Sequence, residues 1–226
     1  MQLIQSKIIS ELKNVQHGFF DKTTGSSGAE ITSLYGFSEL GRLNQVHGNR
    51  VVVMEKCDFT AGVPDADAMI TSRKGFCVAV KTADCVPVLL CDKSAQVVGA
   101  VHAGWRGTAR EIVREALSVM GKEFGSEPCD IAAAIGPSIR SCCYEVDHDV
   151  ASLFVERFGR SDTVVRGIDG GKYMLNLEEA NRILLAEAGV SEIDILGVCT
   201  RCNENFHSYR RDGRGVGGQL SFIGLC

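Results

Sequence analysis

Three apolar runs, Phe76-Cys-Val-Ala-Val80, Val86-Pro-Val-Leu-Leu-Cys91 and Val97-Val-Gly-Ala-Val101, follow one another with only short polar breaks between them. Each is of strand length and rich in β-branched residues, with polar or Gly punctuation between. Such runs read as buried strands. What ends them is chemical. The first break is Lys81-Thr-Ala-Asp84-Cys85, and the third run stops at His102-Ala-Gly-Trp105-Arg106-Gly107. A thiol and an imidazole at the ends of core strands are held by a rigid scaffold, which is how sites are commonly presented.

Working outward, Val51 to Glu55 is expected to be a strand, with His47-Gly48 as the turn before it. Residues 1–15 suggest a strand and then a short helical turn. Residues 17–29 read as a polar, Gly/Ser-rich loop behind the Phe19-Phe20 pair. Thr108 to Gly121 carries the marks of a helix, with Thr108 as cap, Glu111 completing a capping box, and an apolar stripe from Ile112 to Met120. Asp130 to Ile135 is another buried strand. Asp147 to Phe158 is a helix that turns Val150, Leu153, Phe154 and Phe158 inward. Leu177 to Ala188 is a third helix, capped by Asn176 and ended by Gly189. Asp194 to Cys199 and Gln219 to Leu225 are strands. Strands outnumber helices and often adjoin, so the expected fold is α/β of the α+β type, a single domain over residues 1–226 with mixed β-sheets flanked by helices.

Composition narrows the function. The 226 residues are 45% hydrophobic and 23% charged, with a net charge of −4 and no basic run longer than two residues. That balance fits a globular chain and argues against a nucleic-acid partner. No apolar stretch reaches the ~18 residues of a membrane span, and the N-terminus lacks a signal pattern, so a cytoplasmic protein is expected. Ten cysteines in such a chain are expected to be reduced thiols.

His47, Cys85 and His102 form the sharpest constellation. Two imidazoles and a thiolate are a three-ligand metal set with an open fourth position. The same three also suit a cysteine nucleophile with a histidine base, and a buried cysteine beside two hydrogen-bonded histidines is the bland alternative. Cys199-Thr-Arg-Cys202 has no second C-x-x-C and is assigned to structure; Cys142-Cys143 is not read as a vicinal disulfide. Arg106, Arg210 and Arg211 are cations suited to phosphate or carboxylate, and Trp105 is either a core anchor or a wall for a ring.

Eight motifs in order carry a family resemblance: Gln45-Val-His47-Gly48, Asp65-Ala-Asp67-Ala-Met-Ile, Thr82-Ala-Asp84-Cys85-Val-Pro87, His102-Ala-Gly-Trp-Arg-Gly107, Ile135-Gly-Pro-Ser-Ile, Cys142 with Tyr144-Glu145-Val146, Leu175-Asn-Leu, and Ser208-Tyr-Arg-Arg-Asp-Gly213. Together they resemble the bacterial purine nucleoside phosphorylase family formerly called polyphenol oxidase or laccase-like, also termed peptidoglycan editing factor. The resemblance implies zinc, with copper as the other candidate, on His47, Cys85 and His102. It also implies phosphorolysis of adenosine, inosine and methylthioadenosine with phosphate as co-substrate, and adenosine deamination. In that reading Cys85, His102 and Asp84 are catalytic, and Gln45, Trp105, Arg106 and Arg210 bind substrate; Asp84 or Glu145 handles the proton of the leaving base. A monomer or homodimer is expected, with no membrane partner. The chain departs from the family near its start, where Lys22 stands in place of an arginine. Two alternatives remain. A Cys-His amide hydrolase acting on cell-wall precursors would use Cys85 as nucleophile. A copper phenol oxidase of the multicopper kind would need more histidines than the five present.

Overall fold

The computed structural model describes residues 3–23, 28–57, 59–94, 96–159 and 161–226. The Gly/Ser-rich part of the expected N-terminal loop, residues 24–27, lies outside them. The three apolar runs become the strands Phe76–Thr82, Val86–Asp92 and Val97–Ala103. The last two are central to a mixed six-stranded sheet, ordered Glu192–Ile195, Ile131–Ile135, Val86–Asp92, Val97–Ala103, Ala68–Thr71, Val51–Val53. Its two outer pairs are parallel and the rest antiparallel. Phe76–Thr82 crosses into a second sheet of five strands, ordered Leu3–Ile4, Val15–Phe20, Gln219–Leu225, Phe76–Thr82, Glu39–Gly41. A small third sheet joins Glu145–Val146, Lys172–Leu175 and Val165–Ile168.

Burial explains the unbroken apolar runs. Alternation along Val86–Asp92 sends Val86, Val88 and Leu90 toward a core shared with the Ile112–Phe124 and Leu177–Glu187 helices, through Val113, Leu117, Met120 and Leu184. Leu89 and Cys91 face the other way, with Val98 and Ala100, onto Phe19, Val78, Val80 and Ile223 of the five-stranded sheet. One face is covered by helices and the other by a sheet, so both faces of these strands carry apolar side chains, and the buried polar Asp92 and His102 fall at or next to their ends. The far face of the five-stranded sheet is closed in turn by the Gly28–Tyr35 helix, through Ile31 against Phe20 and Phe222.

Several expected boundaries move. His17-Gly-Phe-Phe20 is not loop but the end of a central strand of the second sheet. The expected helix from Thr108 is two elements, Trp105–Ala109 and Ile112–Phe124, separated by Glu111 in the left-handed region at φ 57°. Thr108 is interior and buried, and its hydroxyl accepts from Asn181 of a distant helix instead of capping. Glu111 binds Arg157 and Arg114, so neither half of the expected capping box forms. Gly121 lies inside the helix; Gly125, at φ 73°, ends it. The strand begun at Val51 stops at Val53 and becomes a single 3₁₀ turn, Met54–Lys56. The strand expected at Asp194 to Cys199 sits earlier, at Glu192–Ile195, leaving Cys199 in an isolated bridge to Ser138. In the His148–Phe158 helix, Ala151 and Phe154 are buried while Leu153 faces outward. Asn176 caps Leu177–Glu187 as expected, accepting from the Glu179 N–H at 3.2 Å.

His17 is buried in this core, and its Nε2 accepts from the Ser6 N–H at 2.9 Å. Burial pushes its pKa down to about 4 against an ordinary 6.5, outweighing the Ser6 contact and nearby Asp194. The unfolded chain therefore takes up this proton first, and stability is lost as pH falls from 6.5 toward 4. The loss from this residue should approach about 3 kcal/mol. His17→Gln should flatten the acid limb of a denaturant-midpoint profile, and an unchanged slope would show that His17 is not its source.

Candidate active site

The site is assembled on Asp67, a fully buried carboxylate just before the Ala68–Thr71 strand. Its Oδ1 accepts from His102 Nδ1 at 2.7 Å and from the His47 N–H at 3.0 Å. Its Oδ2 accepts from the Gly48 N–H at 2.7 Å. The backbone repeats the tie, with the His102 N–H donating to the Asp67 carbonyl at 2.7 Å. His47 sits at φ 58°, a left-handed conformation uncommon for a residue with a Cβ. The two successive N–H groups closing on one carboxylate are what hold it there.

With Nδ1 committed to Asp67, the Nε2 of His102 is left for the cleft. The His47, Cys85 and His102 ligand atoms lie within 4.8 Å of one another, and the two imidazole rings meet edge to face at 4.8 Å. Gly104 makes the room: a Cβ there would stand 3.1 Å from Cys85 Sγ and 3.3 Å from His47 Cδ2. Burial alone would raise the Cys85 thiol, but hydrogen bonds from His102 and His47 overcome it and bring the pKa down to about 7. For His102, burial works downward and the Asp67 and Cys85 contacts prevail, lifting it to about 9. Burial likewise opposes the Asp67 charge, yet its three donors hold the carboxyl below the ordinary range. Two imidazoles and an acidified thiol around one point, with a carboxylate fixing one ring's tautomer, fit a divalent cation of the zinc type.

This cluster forms one side of a cleft of about 770 Å³. Trp105, Arg106, Tyr144 and Arg210 line it, as do Gln45, Lys81 and Asp84. Arg106 lies over the Trp105 ring at 4.4 Å and Arg210 over Tyr144 at 5.1 Å. Arg210 is further set by its guanidinium donating to the Glu145 carbonyl at 2.8 Å. Tyr144 and Lys81, which sequence reasoning assigned no role, belong to the wall; Tyr144 could have been sought as the aromatic next to Cys143.

Other expected site residues are committed elsewhere. Both amide atoms of Gln45 pair with the Lys81 backbone at 2.8 Å. Asp84, at φ 89°, accepts from Thr200 Oγ1 at 2.6 Å and from the Arg210 N–H at 2.7 Å. Arg211 donates to the Thr200, Arg201, Asn203 and Phe206 carbonyls, pairs with Asp212 and clamps that loop outside the cleft lining. Glu145 and Lys22 do not line the cleft. Cys199 and Cys202 do have a second pair of thiols beside them, Cys142 and Cys143.

Fold and site together define a mixed α/β protein that presents a His-Cys-His cluster in an aromatic, cationic cleft. Residues 22–226 match the family described as multi-copper polyphenol oxidoreductase laccase, and the chain belongs to that family. It is 40% identical over 199 residues to a purine nucleoside phosphorylase of Deinococcus radiodurans, covering 87% of this chain and 75% of that protein. It is 36% identical to adenosine deaminase RL5, from an unknown prokaryotic organism, over 80% of this chain and 72% of that one. The crystal structure of YlmD from Geobacillus stearothermophilus superposes with a TM-score of 0.84 at 31% identity, covering 95% of this chain and 93% of that one. No helix among the described residues is long and apolar enough to cross a membrane.

Asp67→Asn turns an amide N–H₂ toward donors that need an acceptor. Zinc affinity at the His47 cluster should fall about 10- to 100-fold, read by competition with a chromogenic chelator. Gly104→Ala should weaken it in the same direction while circular dichroism stays unchanged. Wild-type affinity in both variants would show that neither residue shapes a metal site.

Proposed function

We propose that the cleft is the active site of a zinc-dependent purine nucleoside phosphorylase acting on adenosine, inosine and methylthioadenosine, with adenosine deamination as a companion activity. The observation that carries it is the pairing of the His47, Cys85 and His102 cluster with a cationic, aromatic cleft. The names of the relatives support it. The volume is in the range of small-molecule sites, about 300–1,000 Å³. Lys81, Arg106 and Arg210 bring positive charge to it, and Asp84, the one carboxylate among the described residues of its walls, is already held by two donors.

Arg106, spread on the Trp105 face, presents a planar fork suited to a phosphate oxygen pair. Held there, phosphate attacks the sugar carbon as the bond to the base breaks, giving free base and ribose 1-phosphate. Trp105 and Tyr144 offer flat apolar faces for the purine. Burial, with help from the Cys85 charge, pushes the Tyr144 hydroxyl up to about 12, so it stays a neutral donor to a ring atom. His47, Cys85 and His102 would hold the zinc. When bound, it supplies a Lewis acid for negative charge developing on the departing purine, or at C6 in deamination. For Asp84 we propose positioning: it fixes the strained turn before Cys85 and the backbone of Arg210.

A second reading rests on Cys85, His102 and Asp67, which stand as nucleophile, base and orienting carboxylate of a Cys-His amide hydrolase. A copper phenol oxidase finds less support, since the histidines gathered at the cleft number two, His47 and His102.

Inosine should give hypoxanthine and ribose 1-phosphate only when phosphate is present. Stripping the metal should abolish turnover, and zinc should restore it. Arg106→Lys should raise the apparent KM for phosphate far more than that for nucleoside. Full activity of metal-free protein on an amide substrate, with Cys85→Ala inactive, would replace the phosphorylase reading with the hydrolase.

A further inference from the structure

Away from the cleft cluster, a second set of thiols comes together. Cys142 and Cys143 sit in the turn that follows the Ile131–Ile135 strand and its extension through Ser138. Cys199 and Cys202 sit in the loop that Ser138 joins by backbone hydrogen bonds, to the Val198 carbonyl at 3.1 Å and from the Thr200 N–H at 3.0 Å. All four sulfurs lie within 4.8 Å of one another. Cys202 Sγ is 3.3 Å from Cys143 Sγ and 3.8 Å from Cys142 Sγ, and all four thiols are free. A tetrahedral ion with metal–sulfur bonds of about 2.3 Å requires sulfurs about 3.8 Å apart. Four mutually close sulfurs, in place of two separate pairs, are what one central soft cation satisfies.

The surroundings are those of a thiolate site. Backbone N–H groups of Arg140, Arg201 and Cys202 hydrogen-bond to the Cys199 sulfur, and the Arg201 side chain hydrogen-bonds to Cys143. Such donors compensate charge that a neutral thiol would not carry. We propose that Cys142, Cys143, Cys199 and Cys202 form a structural zinc site, closed by four thiolates and distinct from the His47 cluster.

Its place in the fold gives the ion a job. Cys143 directly precedes Tyr144, a wall of the cleft, and Cys199 directly precedes Thr200, which donates to Asp84. The zinc would staple the loop carrying Tyr144 to the loop leading into the Tyr209–Asp212 helix, which carries Arg210. The ion would add to the ties already there: the Ser138 backbone pair, Arg140 to Glu178 and the Gly197 carbonyl, Arg210 to the Glu145 carbonyl, and Arg211 to its four carbonyls.

The test is metal content of the full-length chain, expressed with zinc and purified under reducing conditions without chelator. Elemental mass spectrometry should find about two zinc ions per chain. Cys202→Ser, or Cys142→Ser with Cys143→Ser, should remove one and lower the thermal midpoint by several degrees, while His47→Ala should remove only the other. Should the cysteine variants fail to fold, anomalous scattering at the zinc edge from wild-type crystals decides. A peak among the four sulfurs sustains the site. Its absence, a disulfide in its place, the brown absorption of an iron centre, or zinc content unaltered in a folded Cys202→Ser protein would overturn it.

Discussion

The buried Asp67 carboxylate is the contact on which the rest of the site depends. It orients His102 through Nδ1 and holds the His47-Gly48 turn by two N–H groups, and that grip keeps His47 in its left-handed conformation. Removing one partner of such a buried charge pair costs roughly 3–5 kcal/mol, because the remaining groups are left without solvent or a counter-charge. The same carboxylate thus serves stability and chemistry. It settles which nitrogen of His102 faces Cys85, and it brings in His47 from a segment that has no strand of its own to stand on.

The scaffold around Asp67 makes that placement rigid. Val86–Asp92 and Val97–Ala103 are buried along their whole length, between helices on one side and the five-stranded sheet on the other. Cys85 and His102 sit at adjacent ends of this pair, where Pro87 is registered opposite His102. A hinge between them would require opening the two largest hydrophobic cores. The remaining cleft walls come from loops, residues 139–144 and 200–210, and those are the segments that Asp84, Arg140, Arg211 and the four clustered thiols tie together.

Polar side chains in the cleft divide into braces and free groups. Gln45 spends its amide on the Lys81 backbone, and Asp84 spends its carboxylate on the Thr200 hydroxyl and the Arg210 N–H, so both brace the walls. Arg106 and Lys81 face the cleft with no ion-pair partner among the described residues, and Arg210 keeps part of its guanidinium for it. The result is a positive cleft in a chain of net charge −4. That local reversal favours an anionic reactant by focusing field where the walls exclude water.

The sequence by itself determined the parts whose signals are local. Apolar runs announced buried strands, Asn176 announced its helix, and Cys85 and His102 stood out as ligand types at strand ends, with His47 in the turn before another. Motif order carried the family. Tertiary structure decided what depends on partners far along the chain. Thr108 and Glu111 match a capping box in sequence, but Asn181 and Arg157 claim their side chains from other helices. Asp67 looks like any acidic residue in a motif until its burial and three donors are seen. Cys142-Cys143 and Cys199-Thr-Arg-Cys202 each look incomplete, because Cys143 and Cys202 lie 59 positions apart in the chain; the bridge between Ser138 and Cys199 brings their loops together, with 3.3 Å between those two sulfurs. Spacing encodes neighbours on one element; convergence of separate elements is set by the packing of the core.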